Sequence, residues 1–170
     1  MQQITSTHRG RQQLLDHLAG LGIDAPVVPY PEHTSVEEGK QLRGDMTGTF
    51  TKNLLLKDKK GRLFFVTAFE DTDIDLKTLH TRIGAQGRLG FASPDLMLEY
   101  LHVGPGTLTP LALINDTTGA ITLVIDPALR DVEQVNFHPM VHEESVGLTP
   151  AQFSAFIASI NREPVIVALD

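Results

Sequence analysis

The stretch TKNLLLKDKKGRLFFV, residues 51–66, constrains the fold more than any other part of the chain. Its first half alternates and then runs apolar through Leu54, Leu55 and Leu56, and its second half does the same through Leu63, Phe64, Phe65 and Val66, so the two read as paired strands. Between them Asp58, Lys59, Lys60 and Gly61 supply turn chemistry, and Gly61 can take the positive φ that closes a short hairpin loop. A hairpin this apolar belongs inside a sheet. Its entry nevertheless carries Lys52 and Asn53, where a purely structural strand favours β-branched or aromatic residues. A lysine at a strand end ordinarily keeps its ammonium in water and its stem on apolar surface. From this stretch alone Lys52 is either that or a residue with chemistry.

At 170 residues the chain suits one domain spanning 1–170, burying about 70% of its unfolded surface. There is no cysteine, which excludes disulfides, thiolate metal sites and cysteine nucleophiles. The N-terminus lacks the apolar core of a signal peptide and no 18 apolar residues follow one another, so a soluble, cytoplasmic protein without a membrane partner is expected. A net charge of −7 argues against a surface that coats nucleic acid. Five of the fourteen basic side chains, Lys52, Lys57, Lys59, Lys60 and Arg62, nevertheless fall on or beside the hairpin, as a solvated turn or as phosphate contacts.

In chain order, Leu14, Leu15, Leu18 and Leu21 predict a first helix, with Ser6 or Thr7 as its cap and Gly22 as its end. PVVPY, residues 26–30, reads as extended, and Thr34 with Glu37 has capping-box spacing for a helix over 35–42. A loop over 44–48 leads into the hairpin. Leu76, Leu79 and Ile83 predict a helix begun by Asp73 or Asp75 and closed near Gly84 or Gly87. A short strand follows at 89–92, then a helix capped by Ser93 with Pro94 at its first position, running to Gly104. Residues 104–110, GPGTLTP, read as a shaped loop. Residues 111–114 and 120–125 are expected to form a second apolar hairpin. Asp126 and Pro127 begin a helical turn, and VNFH, residues 135–138, is a strand halted by Pro139. Thr149, Pro150 and Gln152 open a last helix, and PVIVAL, residues 164–169, closes the chain as a strand. This pattern predicts an α+β (mixed α/β) fold, with a mixed, mostly antiparallel sheet, two central hairpins and flanking helices.

Three places carry candidate chemistry. The first is Lys52 with Asn53. The second is the loop at 104–110, whose glycines allow close backbone approach and whose N–H groups can bind a carbonyl or phosphate oxygen; it opens no helix and lacks a Gly-Lys-Ser/Thr ending, so it is neither a P-loop nor a dinucleotide fingerprint. The third is His138 at a strand end, suited to orienting a substrate or moving a proton. His138 and His142 have the spacing of a helical metal pair, but Pro139 argues against a helix there, so no metal and no other cofactor is expected. There is no G-x-S-x-G serine motif.

The order of these signals, TKNLLLKDKKG, then GPGTLTP running into LALINDTTG, then VNFHP, resembles the YbaK/ProX family of aminoacyl-tRNA editing domains over nearly the whole chain. Within that family it looks most like the free-standing members that hydrolyse alanyl-tRNA(Pro). The resemblance implies the editing-domain fold and a metal-free deacylase. Lys52, Asn53, Gly106 and His138 are its implied catalytic residues. It implies substrate binding by Gly104, Thr107, Leu108, Thr109 and Pro110, and Lys57, Lys59, Lys60 and Arg62 as tRNA phosphate contacts. The implied partner is the acceptor end of tRNA(Pro) carrying a wrong amino acid, with prolyl-tRNA synthetase as a further one. Cysteinyl-tRNA(Pro) hydrolysis and non-catalytic binding of a tRNA end are the alternatives. Phe50, Leu55 and the acidic VHEESVG segment depart from the family pattern.

Overall fold

The fold was obtained as a computed structural model, which describes residues 6–30, 35–42 and 47–170. Its strands in chain order are β1 (Val27–Pro29), β2 (Thr49–Lys57), β3 (Leu63–Phe69), β4 (Gly90–Phe91), β5 (Ile121–Ile125), β6 (Val135–Phe137), β7 (Glu144–Leu148) and β8 (Val165–Ile166). The helices are α1 (Ser6–Gly20), α2 (Val36–Leu42), α3 (Leu79–Ile83), α4 (Pro94–Leu101) and α5 (Pro150–Ser159). The strands form one mixed sheet in the order β1-β7-β6-β2-β3-β5-β8, with β4 paired to β2 off that path.

The apolar hairpin is the centre of that sheet. β2 and β3 pair antiparallel from Thr51↔Phe69 to Lys57↔Leu63. β3 is also paired in parallel with β5, so both its edges are used and both its faces covered, which is why residues 63–68 are apolar nearly without interruption and buried throughout. Leu55 and Phe65 pack on one face with Leu123, Phe137 and Phe156. Leu56, Phe64 and Val66 pack on the other with Leu79, Ile83 and Leu89.

Asp58 fixes the turn. Its side chain is wholly buried, and its two oxygens accept from the N–H groups of Lys60 (3.0 Å), Arg62 (2.9 Å) and Gln86 (2.9 Å) and from Arg62 Nε (3.0 Å). Gly61, at φ +84°, completes the reversal.

The local start signals hold where they are described. Ser93 Oγ accepts from Leu96 N–H with Pro94 next in the chain, and Thr149 and Gln152 form a reciprocal capping box. The caps expected of Ser6 or Thr7 and of Thr34, and most of the loop at 44–48, lie outside the described residues or side chains. Ser35 Oγ accepts from Glu38 N–H at 3.1 Å. α4 ends at Leu101 with His102 in the left-handed region, short of the expected Gly104.

The hairpin expected from residues 111–114 and 120–125 does not form. Pro110–Asn115 is a 3-10 helix with Thr109 as its cap, and β5 joins β3 in parallel. A short apolar run buried on all sides fits a helix segment as well as a strand, and Pro110 is suited to a first helical position. The second hairpin of the sheet is β6–β7, paired antiparallel from Val135↔Leu148 to Phe137↔Val146. β7 carries no clear strand signal, because ESVGL contains glutamate and glycine, which strands disfavour.

Two outcomes test this account. Phe65→Ala should cost about 3–5 kcal/mol in chemical denaturation, since Phe65 is a large, fully buried side chain. Burial pushes the Asp58 carboxyl up, but the N–H groups of Gln86, Arg62 and Lys60 and the Arg62 guanidinium outweigh it and hold the pKa at about 2. The unfolded value is about 3.9, so Asp58 stabilises the fold fully above that pH and loses its contribution as pH falls toward the folded value. Melting temperatures followed from pH 5 to pH 2 should fall more steeply in the wild type than in Asp58→Asn; parallel curves would refute the assignment.

Candidate functional site

One edge of β2 changes partner along its length. Thr49 and Phe50 pair in parallel with β6, Leu56 and Lys57 pair with β4, and residues 51–54 pair with neither. Glu70 N–H donates to Phe50 O (3.0 Å), which turns the even-numbered backbone groups of β2 toward β3. The odd-numbered groups face the other edge: Thr49 N–H donates to Gln134 O (2.8 Å) and Leu55 O accepts from Ala92 N–H (2.9 Å). Asn53 lies between these two and directs its backbone N–H and C=O into the interruption.

A pocket of about 230 Å³ opens there. Lys52 and Asn53 line it from β2, Pro105, Gly106 and Leu108 from the loop, Asn136, Phe137 and His138 from β6 and its end, Ser145 from β7, and Tyr30 from the end of β1. Ser35 and Val36 close one side, on a helix tied to the end of β3 by the Lys40–Asp71 ion pair at 2.6 Å. The volume is below the roughly 300–1,000 Å³ of pockets that enclose a whole drug-sized molecule. It suits the tip of a larger one.

Lys52 has no ion pair or hydrogen bond among the described residues, and its side chain shares a face with Phe50 and Leu54. Asn53 Nδ2 donates to Thr51 Oγ1 at 3.4 Å, while its Oδ1 is buried without a partner among the described residues. His138 Nδ1 lies 3.0 Å from Glu144 O. A carbonyl can only accept, so in the neutral ring Nδ1 carries the proton and Nε2 is the acceptor. The Glu144 carboxylate is gripped by Arg11 of α1, which fixes the strand that holds the imidazole. Tyr30 stacks edge-on to Phe50 (5.5 Å between centroids) and lies tilted against His138 (6.1 Å).

The loop over residues 104–110 divides into lining and bracing residues. Of the five positions expected to bind substrate only Leu108 lines the pocket. Thr107 Oγ1 accepts from Gly104 N–H (3.2 Å), Thr109 Oγ1 accepts from Leu111 N–H (3.3 Å), and Pro110 starts the 3-10 helix, so Gly104, Thr107, Thr109 and Pro110 shape the loop from behind. A Cβ on Gly106 would stand 2.3 Å from His142 Cε1, so a side chain there would have to displace that ring. His138 and His142 do not share a helix; they flank the turn between β6 and β7. Among the described residues no group of three or more His, Asp or Glu could hold a metal ion.

Lys57, Lys59, Lys60 and Arg62 are at the opposite end of the hairpin, about 17 Å or more from Lys52 at about 3.3 Å per residue. Arg62 is engaged by Asp58, by Gly84 O (2.7 Å) and by the Phe64 ring, which removes it from the set of free cations. The three lysines are exposed and make no ion pair among the described residues. Tyr30, Ser145 and Asn136 line the pocket without any local sequence signal for it. Tyr30 ends the extended segment PVVPY, and nothing local marks that segment as neighbouring the late strands.

A family model described as "Aminoacyl-tRNA editing domain" matches residues 30–156. "Prolyl-tRNA synthetase associated domain-containing protein 1" of Bos taurus is 39% identical over 164 residues, covering 94% of this chain and 95% of that protein. "Prolyl-tRNA editing protein ProX" of Acetoanaerobium sticklandii is 32% identical over 140 residues, covering 82% and 85%. A solved structure of a candidate trans-editing enzyme for prolyl tRNA synthetase superposes with a TM-score of 0.72 at 19% identity, covering 99% of each chain, a likeness of fold.

Gly106→Ala tests the loop packing. The methyl forces the His142 ring to move, so the histidine side-chain NMR signals of His142 should shift while the melting temperature changes little. Unmoved signals would show that the loop and that ring are not in contact.

Proposed function

The chain belongs to the family of aminoacyl-tRNA editing domains and is related to prolyl-tRNA editing proteins, and from that premise we propose that it acts in trans as a deacylase, hydrolysing the ester of alanyl-tRNA(Pro). The observation that carries the reading is the meeting of Lys52, Asn53, Gly106 and His138, from three distant segments, on one small pocket at an interrupted strand edge.

The physical need for such an enzyme is plain. A synthetase gains only about 1–3 kcal/mol from one methylene, so a slightly smaller apolar amino acid escapes rejection and a second, size-excluding site must clear the error. Alanine is smaller than proline, which is the order a size-excluding pocket can use. The aminoacyl ester is already activated, so positioning of water and stabilisation of the developing oxyanion suffice.

In this reading the Lys52 ammonium binds the terminal phosphate or the ester carbonyl. The Gly106 N–H, the first donor after a proline that has none, holds the carbonyl oxygen. His138 Nε2 and the Tyr30 and Phe50 rings shape the aminoacyl end, and the terminal ribose hydroxyl helps activate water. The bond that breaks joins the carbonyl carbon to the ribose oxygen, which leaves with a proton from the attacking water. Prolyl-tRNA synthetase, which would supply the mischarged tRNA, is the proposed partner, and the cytoplasm the proposed place of action.

Deacylation of alanyl-, cysteinyl- and prolyl-tRNA(Pro) by one preparation tests the proposal. Alanyl-tRNA(Pro) should be cleared fastest and prolyl-tRNA(Pro) spared, with Lys52→Ala at least about 100-fold slower, the loss typical of removing one preorganised charge-stabilising group. A Lys52→Ala protein working at the wild-type rate would refute it. Preferred cleavage of cysteinyl-tRNA(Pro) would keep the chemistry and change the substrate, and binding without turnover would leave a tRNA-end binding module.

A further inference from the structure

Phe91 is the most exposed large apolar side chain among the described residues, with 67% of its surface free. It stands on β4 directly opposite Leu56. Cross-strand partners share a face, and Lys52, Leu54 and Leu56 alternate onto that same face, so the Phe91 ring and the Lys52 side chain rise from one side of β2. Lys52 and Leu56 are about 13 Å apart along the strand. The two therefore flank the interrupted edge of β2, the pocket at one end and the ring at the other.

Cations continue the line past the ring. Lys57, one residue beyond Leu56, turns with its partner Gly90 to the opposite face from the ring. The Lys59 stem lies over Gly87, with its Cβ 3.2 Å from where a Gly87 Cβ would sit. Lys60 follows in the same turn, and Arg88 is exposed two residues before β4. None of Lys59, Lys60 and Arg88 has an ion-pair partner among the described residues. An aromatic ring standing clear of its own core beside unpaired cations is the arrangement that holds single-stranded nucleic acid without reading its sequence, because every base offers a π-face and every nucleotide a phosphate. A protein-binding patch would ring the aromatic with further large apolar side chains, whereas its exposed chain neighbours are Gly90, Ser93, Pro94 and Asp95.

We propose that Phe91 is a stacking platform for an unpaired nucleotide of the tRNA acceptor end, with Lys59, Lys60 and Arg88 taking its backbone phosphates. This rests on the reading of the pocket as the aminoacyl site and gives the strand its direction: terminal aminoacyl-adenosine in the pocket, preceding nucleotides over β4, and the stem toward the hairpin turn.

The test uses the full chain and an uncharged single-stranded RNA with the acceptor-end sequence, so that it requires no hydrolysis. The protein has no tryptophan, so Phe91→Trp introduces the sole indole. Its fluorescence should be quenched on adding this RNA and unchanged by a blunt RNA duplex. Phe91→Ala and Phe91→Leu should both bind the RNA about 5- to 150-fold more weakly, the range that one base–aromatic stack provides. In deacylation assays the same variants should raise KM and leave kcat near the wild-type value. Wild-type RNA affinity in Phe91→Ala, full affinity in Phe91→Leu, or an unquenched indole at saturating RNA would each overturn the platform, also if Phe91→Ala abolished binding to a synthetase or to a second copy instead. If the wild type deacylates alanyl-tRNA(Pro) and Phe91 proves irrelevant to RNA, only this inference fails. If RNA quenches the indole but nothing is deacylated, the platform stands and the hydrolytic reading fails.

Discussion

The site depends on a sheet that cannot be continuous along one edge of its central strand. β2 is nine residues long and pairs with β3 over most of that length, but β6 matches it only at its start and β4 only near its end. An unpaired edge is ordinarily a liability, exposing backbone donors and acceptors to stray strands. Here the proline- and glycine-containing loop at 104–110 leans over the open segment, too irregular to extend the sheet and close enough to wall it in. The pocket is therefore a consequence of strand pairing. Its floor is as rigid as the hairpin that the apolar core holds.

That rigidity suits the proposed chemistry. Catalysis by preorganised donors depends on groups that need not rearrange as charge develops. Lys52 is anchored by the pairing of β2 with β3, a strand buried along nearly its whole length. The ring of His138 is set by a carbonyl whose own residue is held by Arg11, and Gly106 is seated against His142. Three separate contacts thus fix three groups that have no direct bond to one another.

What the sequence revealed and what it hid divide along local and non-local lines. The hairpin was legible because its two arms and turn are adjacent, and the caps at Ser93 and Thr149 were legible because a cap is decided within four residues. Lys52 and His138 were recognisable as a pair only through resemblance to a family. Nothing in the spacing of residues 52 and 138 brings them together; the parallel contact of β2 with β6 does. The same kind of contact explains why residues 111–114 form no hairpin, since β5 passes over its chain neighbour to pair with β3. Tyr30 was hidden for the matching reason, since β1 reaches the site through β7, at the far end of the chain.

The Thr49↔Val135 and Val27↔Val146 pairings also bear on how the molecule comes into being. A hairpin closes in about 1–10 μs, whereas pairings across 86 and 119 positions must await closure of long loops. The pocket is bounded by both kinds of contact, so a half-assembled chain has the lysine but not the enclosure around it. Emergence of the site should coincide with the last cooperative step of folding, which makes it a built-in report on whether the whole polypeptide has reached its native state.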